Sequence, residues 1–188
     1  ERGYGKHITI SGEEFKDWKK SKGEFSDNEK TAMVVKSLLV LTAIKKEAEK
    51  IRKHHPDLYH NPLLITIANE VNTVDAELKL FFKQLGIIAS GVYDLEHSIS
   101  ELKSDLLNNK EYQFNTTEIP SWFIQVINDI TKEDILKHVF NASSHGKIEY
   151  TRISNNSREV AFRMKTADTG KHFCLLVASD ATKWGDNV

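Results

Sequence analysis

The 188-residue sequence predicts a mixed fold, α/β or α+β. Three observations predict it. Apolar residues recur at three- and four-residue spacing through several long stretches before residue 140, as amphipathic helices require. Leu63–Ala68 is apolar apart from Thr66, the composition of a strand covered on both faces. After Gly146 the pattern changes to short β-rich runs separated by turn residues. Strand, helices, then strands again is the order of such folds.

Taken in order, Lys6–Ser11 alternates and reads as a short strand. Ser11-Gly-Glu-Glu14 is a capping box that opens a short helix over "EEFKDWKK". Ser26-Asp-Asn-Glu29 is a second box, and it opens a long helix running to about His54 with Val34, Leu38, Leu41, Ile44, Ala48 and Ile51 as its stripe. Pro56 ends it, and the strand Leu63–Ala68 follows as a central parallel strand. A helix from Val74 carries Val74, Leu78, Phe81, Leu85 and Ile88. Gly91 separates it from a helix carrying Leu95, Ile99, Leu102 and Leu106. The polar stretch 108–118 reads as a loop. Pro120 suits the first turn of a helix bearing Trp122, Phe123, Val126, Ile127 and Ile130. Thr131-Lys-Glu-Asp134 caps another, through Phe140. Residues 147–153 and 158–165 read as a hairpin around "SNNS", and the apolar run 171–179 as a central strand.

Composition narrows the function classes. The chain is 39% hydrophobic and 28% charged, enough for a buried core, and its net charge of −1 gives no global basic field. The lone Cys174 cannot form an internal disulfide, sits in the apolar run "HFCLLVAS", and reads as a small buried hydrophobe in a reducing, cytoplasmic setting. No apolar run reaches the roughly 20 residues of a membrane span, and "MVVKSLLVLTAI" is neither signal peptide nor anchor. A chain beginning Glu1-Arg2-Gly3 and stopping at "KWGDNV" is expected to be a piece of something larger.

Most catalytic constellations are absent from the sequence. His54, His55 and His60 lack carboxylate or thiol partners at ligand spacing. Cys174 has no neighbouring base, and Glu13, Glu14, Glu47 and Glu49 read as solvated helix charges. Neither G-x-x-x-x-G-K-[ST] nor a G-x-G-x-x-G between strand and helix occurs, so the chain cannot hold a nucleoside triphosphate by itself. Lys45, Lys46, Lys50, Arg52 and Lys53 crowd the end of the long helix. They complement its dipole, or they form a basic track for a phosphate backbone. At the turn after Leu63–Ala68, Asn69, Asn72 and Thr73 stand where a helix amino terminus faces the carboxyl edge of a sheet. Capping explains these residues, and so does a phosphate contact.

"NPLLITIANEVNTVDAELKLFF", residues 61–82, resembles a block in the helicase-like restriction subunit of type III restriction–modification enzymes, a superfamily 2 motor of bacteria. Asn61, Pro62, Leu63, Leu64, Thr66, Asn69, Val71, Asn72, Thr73, Asp75, Ala76, Leu78, Lys79, Leu80, Phe81 and Phe82 match its pattern. A second block, 146–184, is similar through Gly146, Glu149, Arg152, Asn156, Glu159, Ala161, Lys165, Thr166, Asp168, Asp180, Lys183 and Trp184. The resemblance implies a RecA-like second helicase lobe with a short, mainly parallel sheet, a β-hairpin and flanking helices. Residues 61–188 would be part of that lobe and 1–60 a connection from the preceding one. It implies an ATP- and magnesium-dependent DNA translocase and endonuclease whose ATP and nuclease residues lie outside this stretch. The fragment would hold no cofactor of its own. Its partners would be double-stranded DNA and a methyltransferase modification subunit, with no membrane. Asn69, Asn72 and Thr73 would contact the DNA backbone. Glu70 stands where the family has serine, and a carboxylate there repels phosphate unless it points away or pairs with a lysine. The alternative implied by the residues alone is a non-catalytic α/β binding or scaffold module.

Overall fold

The computed structural model describes residues 10–11, 26–58, 61–67, 77–108, 112–113, 119–153, 158–167 and 171–178. Its order is β1 (Ile10–Ser11), α1 (Asp27–His54), a 3-10 turn (Pro56–Leu58), α2 (Glu77–Ser90), α3 (Leu95–Asn108), β2 (Tyr112–Gln113), α4 (Ser121–Asp129), α5 (Lys132–Phe140), β3 (Ile148–Arg152), β4 (Glu159–Met164) and β5 (Cys174–Val177). The architecture is mixed: five helices and, among the described residues, a three-stranded antiparallel sheet plus the two-residue pair β1–β2.

The 28-residue α1 starts as its sequence dictates. The Glu29 N–H donates to Ser26 Oγ (3.3 Å) and the Ser26 N–H to Glu29 Oε2 (2.7 Å), so two otherwise orphaned donors are satisfied. Its buried face is Val34, Val35, Leu38, Leu39, Thr42 and Ala43. That departs from the expected stripe, because Ile44 and Ile51 are exposed. Burial stops at Ala43 because the last three turns meet the charged side of α5 and solvent. Helices α2, α3, α4 and α5 all pack on α1. On the α2 side a buried polar contact sits among the apolar ones: Thr31 Oγ1 lies 2.5 Å from Gln84 Oε1 and 2.8 Å from the Asp27 carbonyl. A hydroxyl has one proton, so both contacts are satisfied when the Gln84 amide turns to donate to Thr31 and Thr31 donates to Asp27.

α2 buries Leu78, Phe82, Leu85, Ile88 and Ala89, and α3 buries Leu95, Ile99 and Leu102. Between them Gly91 has φ +78°, and a Cβ there would meet His145 at 2.9 Å, so both the turn and the close approach demand glycine. α4 buries Phe123, Val126 and Ile127. The third expected capping box is present at Thr131 and Asp134, and α5 stops at Asn141, whose left-handed φ of 55° suits asparagine.

The sheet order is β3-β4-β5. The expected hairpin forms, with Ile148 opposite Met164 and Arg152 opposite Val160, and a Glu149–Arg163 ion pair (3.0 Å) across it. Three expectations fail here. The sheet is antiparallel, not mainly parallel, because only residues 165–173 join β4 to β5 and a parallel crossover needs about a dozen or more. The central strand is β4 rather than the 171–179 run. β5 lies at an edge, with Leu175 and Val177 exposed. Nor is Leu63–Ile67 a central strand: it carries no strand pairing, and Leu63, Ile65 and Ile67 are 79%, 70% and 85% exposed. An apolar run records what a segment can cover, not whether anything covers it. The stretch 108–118, read as a loop, contributes β2, which pairs with β1. The short helix after Ser11 falls outside the described residues.

The sheet is tied to the helices by ring contacts, Phe82–Phe162 (4.4 Å between centroids) and Phe140–Phe173 (5.0 Å), and at Gly146. The Gly146 N–H donates to the Ala89 carbonyl at the end of α2 (2.9 Å). Thr166 packs over Gly146 and donates through Oγ1 to the Ser144 carbonyl (3.0 Å). A Cβ on residue 146 would come within 2.7 Å of that oxygen. Gly146→Ala is therefore expected to cost about 1–3 kcal/mol, read as a lower urea midpoint at unchanged slope. An unchanged midpoint would mean that Thr166 moves aside freely.

Candidate functional site

Two adjoining clefts mark the surface where α1, α5, β5 and residues 61–66 meet. The first is polar and of about 810 Å³, lined among others by Lys45, Glu49, Asn61, Lys137, His138 and Lys171. Lys45 and Glu49 share one face of α1, and Asp134 and His138 share one face of α5, each at i,i+4. Packing the two helices brings these faces together. Lys46 Nζ lies 2.6 Å from Asp134 Oδ2, and Lys45 Nζ donates to the His138 carbonyl (2.6 Å). His138 Nδ1 is 3.5 Å from Glu49 Oε1, its Nε2 is 4.0 Å from Asp134 Oδ1, and Lys137 Nζ is 4.0 Å from Glu49 Oε2.

Burial sets the protonation of this group. It pulls the Lys45 ammonium below its ordinary range, against the opposing charge of Glu49. It pulls His138 down as well, with Glu49 and Asp134 opposing and Lys137 and Lys46 reinforcing the shift. Burial alone would raise the Asp134 carboxyl, but the Lys46 hydrogen bond, the Thr131 backbone N–H and the Lys46 and His138 charges together hold it below the usual range. His138 is thus a neutral, buried imidazole at pH 7, beside the Glu49 and Asp134 carboxylates.

The second cleft is an apolar slot of about 450 Å³. Phe173–Val177 and Pro62–Thr66 line it, together with Leu38, Leu41, Phe81, Phe82 and Leu85. Lys45, Pro62, Leu63 and Phe173 line both clefts. Cys174 faces the slot half-buried, and burial pushes its thiol up to about 11, so no reactive thiolate exists there at neutral pH.

The residues that the sequence nominates divide accordingly. Asn69, Asn72 and Thr73, with Glu70, lie outside the described residues. Asn61 and Pro62, which open the same block, line the polar cleft. In the second block, Gly146 and Thr166 join sheet to helix, and Glu149 pairs across the hairpin. Of the basic cluster on α1, Lys45 and Lys46 are engaged by α5, and Lys50 pairs with Glu47 at 3.1 Å. These three are structural contacts as much as a track. The Lys46–Asp134 and Glu49–His138 pairs escaped sequence reasoning; the i,i+4 spacing on each helix is visible in the sequence, the pairing between helices is not. Among the described residues, no group of three or more His, Cys, Asp or Glu gathers as metal ligands, and no helix is long and apolar enough to cross a membrane.

No protein-family model, curated protein or solved structure matches the chain. The geometry of the clefts therefore stands without a relative's site to compare.

The charge network predicts acid sensitivity. Unfolded His138 titrates near 6.5 and the folded imidazole lower, so the unfolded state binds more protons in that window and stability falls as pH drops below 6.5. Asp134 acts in the same direction further down: its contribution is complete above 3.8 and is lost as pH falls through the folded value. Urea midpoints measured from pH 7.5 to 5 should decline, and His138→Gln should flatten the decline. An equal slope in the variant would assign the acid sensitivity elsewhere.

Proposed function

We propose that the chain is part of the ATP-dependent translocase and endonuclease subunit of a type III restriction enzyme, acting on foreign DNA in the bacterial cytoplasm. In this reading it is inactive alone and contributes contacts to the DNA backbone. Residues 61–188 belong to the second RecA-like lobe and 1–60 connect it to the first. ATP and magnesium act in the parent protein, in complex with the methyltransferase subunit.

The observation that carries the reading is the ordered series of matching residues in 61–82, extended by the second block in 146–184. A supporting one is local charge. The first residues of the block, Asn61 and Pro62, border a cleft that also holds Lys45, Arg52, Lys137 and Lys171, although the chain as a whole is slightly acidic. Cations gathered there suit a phosphate backbone, whose affinity comes from released counterions. Phosphate contact at the turn falls to Asn69, Asn72 and Thr73, and Glu70 weakens it.

A second reading, a non-catalytic α/β binding module, is favoured by one observation: the exposed apolar residues Leu63, Leu64 and Ile65, which line the slot together with β5.

A fluorescent DNA duplex separates the two. The restriction-subunit reading expects weak binding whose log affinity falls with log salt, by about 0.9 for each phosphate neutralised. Asn69→Ala with Asn72→Ala should weaken binding several-fold at unchanged circular dichroism, and Glu70→Ser should strengthen it. Binding indifferent to all three substitutions would remove the site. Absence of salt-dependent binding would remove the backbone role. Coding sequence continuing in frame on both sides, with G-K-[ST] upstream, would support the parentage, and a complete reading frame of this length would overturn it.

A further inference from the structure

We propose that the slot between β5 and residues 62–66 takes an extended peptide strand of alternating apolar residues, with a carboxylate-bearing residue at its Lys45 end. The inference concerns a different ligand from the DNA reading and does not depend on it; it centres on the apolar slot and shares only the cations Lys45, Lys137 and Lys171 with the cleft of that reading.

The direction from which the slot meets β5 decides the class of ligand. Successive side chains of a strand point to opposite faces of the sheet. Five consecutive residues, Phe173–Val177, line the slot, so it runs along the edge of the strand rather than over one face. The other edge of β5 is taken by β4, and no strand among the described residues pairs on the slot side. Backbone N–H and C=O groups along an open edge call for hydrogen-bond partners. An acyl chain would cover them without satisfying them; a peptide backbone supplies both donor and acceptor.

β5 also lacks the usual protection of an edge. Cys-Leu-Leu-Val contains no lysine, glutamate or proline to discourage pairing. Leu175 and Val177 stand exposed on it, and the exposed Leu63 and Ile65 line the same slot. The slot's volume of about 450 Å³ admits a short strand rather than the sheet of a second copy. β5 has four residues, so the added strand pairs over about that length.

Charge fixes the polarity of the ligand. The slot opens into the polar cleft at Lys45, which spends one of its three donors on the His138 carbonyl. Lys137, Lys171 and His172 line the cleft beyond, opposite Glu49 and Glu133. An acidic residue following the apolar strand would lie among these cations, and a basic one would be repelled.

The test uses the full 188-residue chain and fluorescein-labelled Thr-Val-Thr-Val-Asp-Asp, read by anisotropy. Two controls accompany it: the same peptide ending in Lys-Lys, and one N-methylated at alternate amides. The acidic peptide should saturate the chain. The lysine version should bind about tenfold more weakly through lost charge complementarity. N-methylation should cost about tenfold or more through lost backbone bonds. Lys171→Glu, an exposed position, should weaken the acidic peptide several-fold at unchanged circular dichroism. No saturation up to millimolar peptide, equal binding of all three peptides, or displacement by laurate but not by unlabelled peptide would each overturn the proposal. So would self-association in sedimentation velocity that the peptide leaves intact.

Discussion

Every described helix after α1 packs against it, and the burial that makes this possible is confined to one stretch, Thr31 to Ala43. Val34, Val35, Leu38, Leu39 and Ala43 are essentially inaccessible to water. Each large side chain of that kind contributes about 1.5–3 kcal/mol relative to an exposed one, so a few turns of one helix contribute several kcal/mol. The capping box at Ser26 and Glu29 fixes where α1 begins, and hence which residues face inward. The Thr31–Gln84 contact then gives the α1–α2 packing a register that apolar side chains alone would not impose.

The same helix divides the molecule by chemistry. Its first half belongs to the core. Its second half meets α5 through Lys45, Lys46 and Glu49, and this charged junction leaves room for a polar cleft. The sheet is attached elsewhere, through Phe162 on Phe82, Phe173 on Phe140, and Gly146 on the end of α2. With the sheet held at β4 and at these joints, β5 is left with one edge toward the slot. The binding surfaces are thus consequences of where the packing stops.

What the sequence made legible was local. Both long-helix capping boxes link residues three apart, and the hairpin around "SNNS" links neighbouring runs, so short-range pattern sufficed for Ser26, Thr131 and β3–β4. The helices around Leu85, Ile99 and Ile127 followed from periodicity for the same reason. The misplaced elements depend on long-range facts. Leu63–Ile67 has the composition of a buried strand, yet burial is decided by a partner elsewhere in the chain. The direction of β5 was in principle readable, because residues 165–173 are too few for a crossover, but its hydrophobicity argued the other way. The Lys46–Asp134 pair joins residues 88 apart and no spacing rule reaches it. The assignment of Asn69, Asn72 and Thr73 rests on sequence pattern and resemblance, and they lie outside the described residues.

The central claim is that α1 organises the fold through its first half. Native-state hydrogen exchange of the full chain, resolved by residue, tests it most directly. The account predicts that amides from Val35 to Ala43 exchange only through global unfolding, with the highest protection in the molecule, while those from Ile51 to His54 exchange far faster through local fraying. Protection spread evenly along α1, or a middle of α1 that opens before α4 and α5, would contradict it.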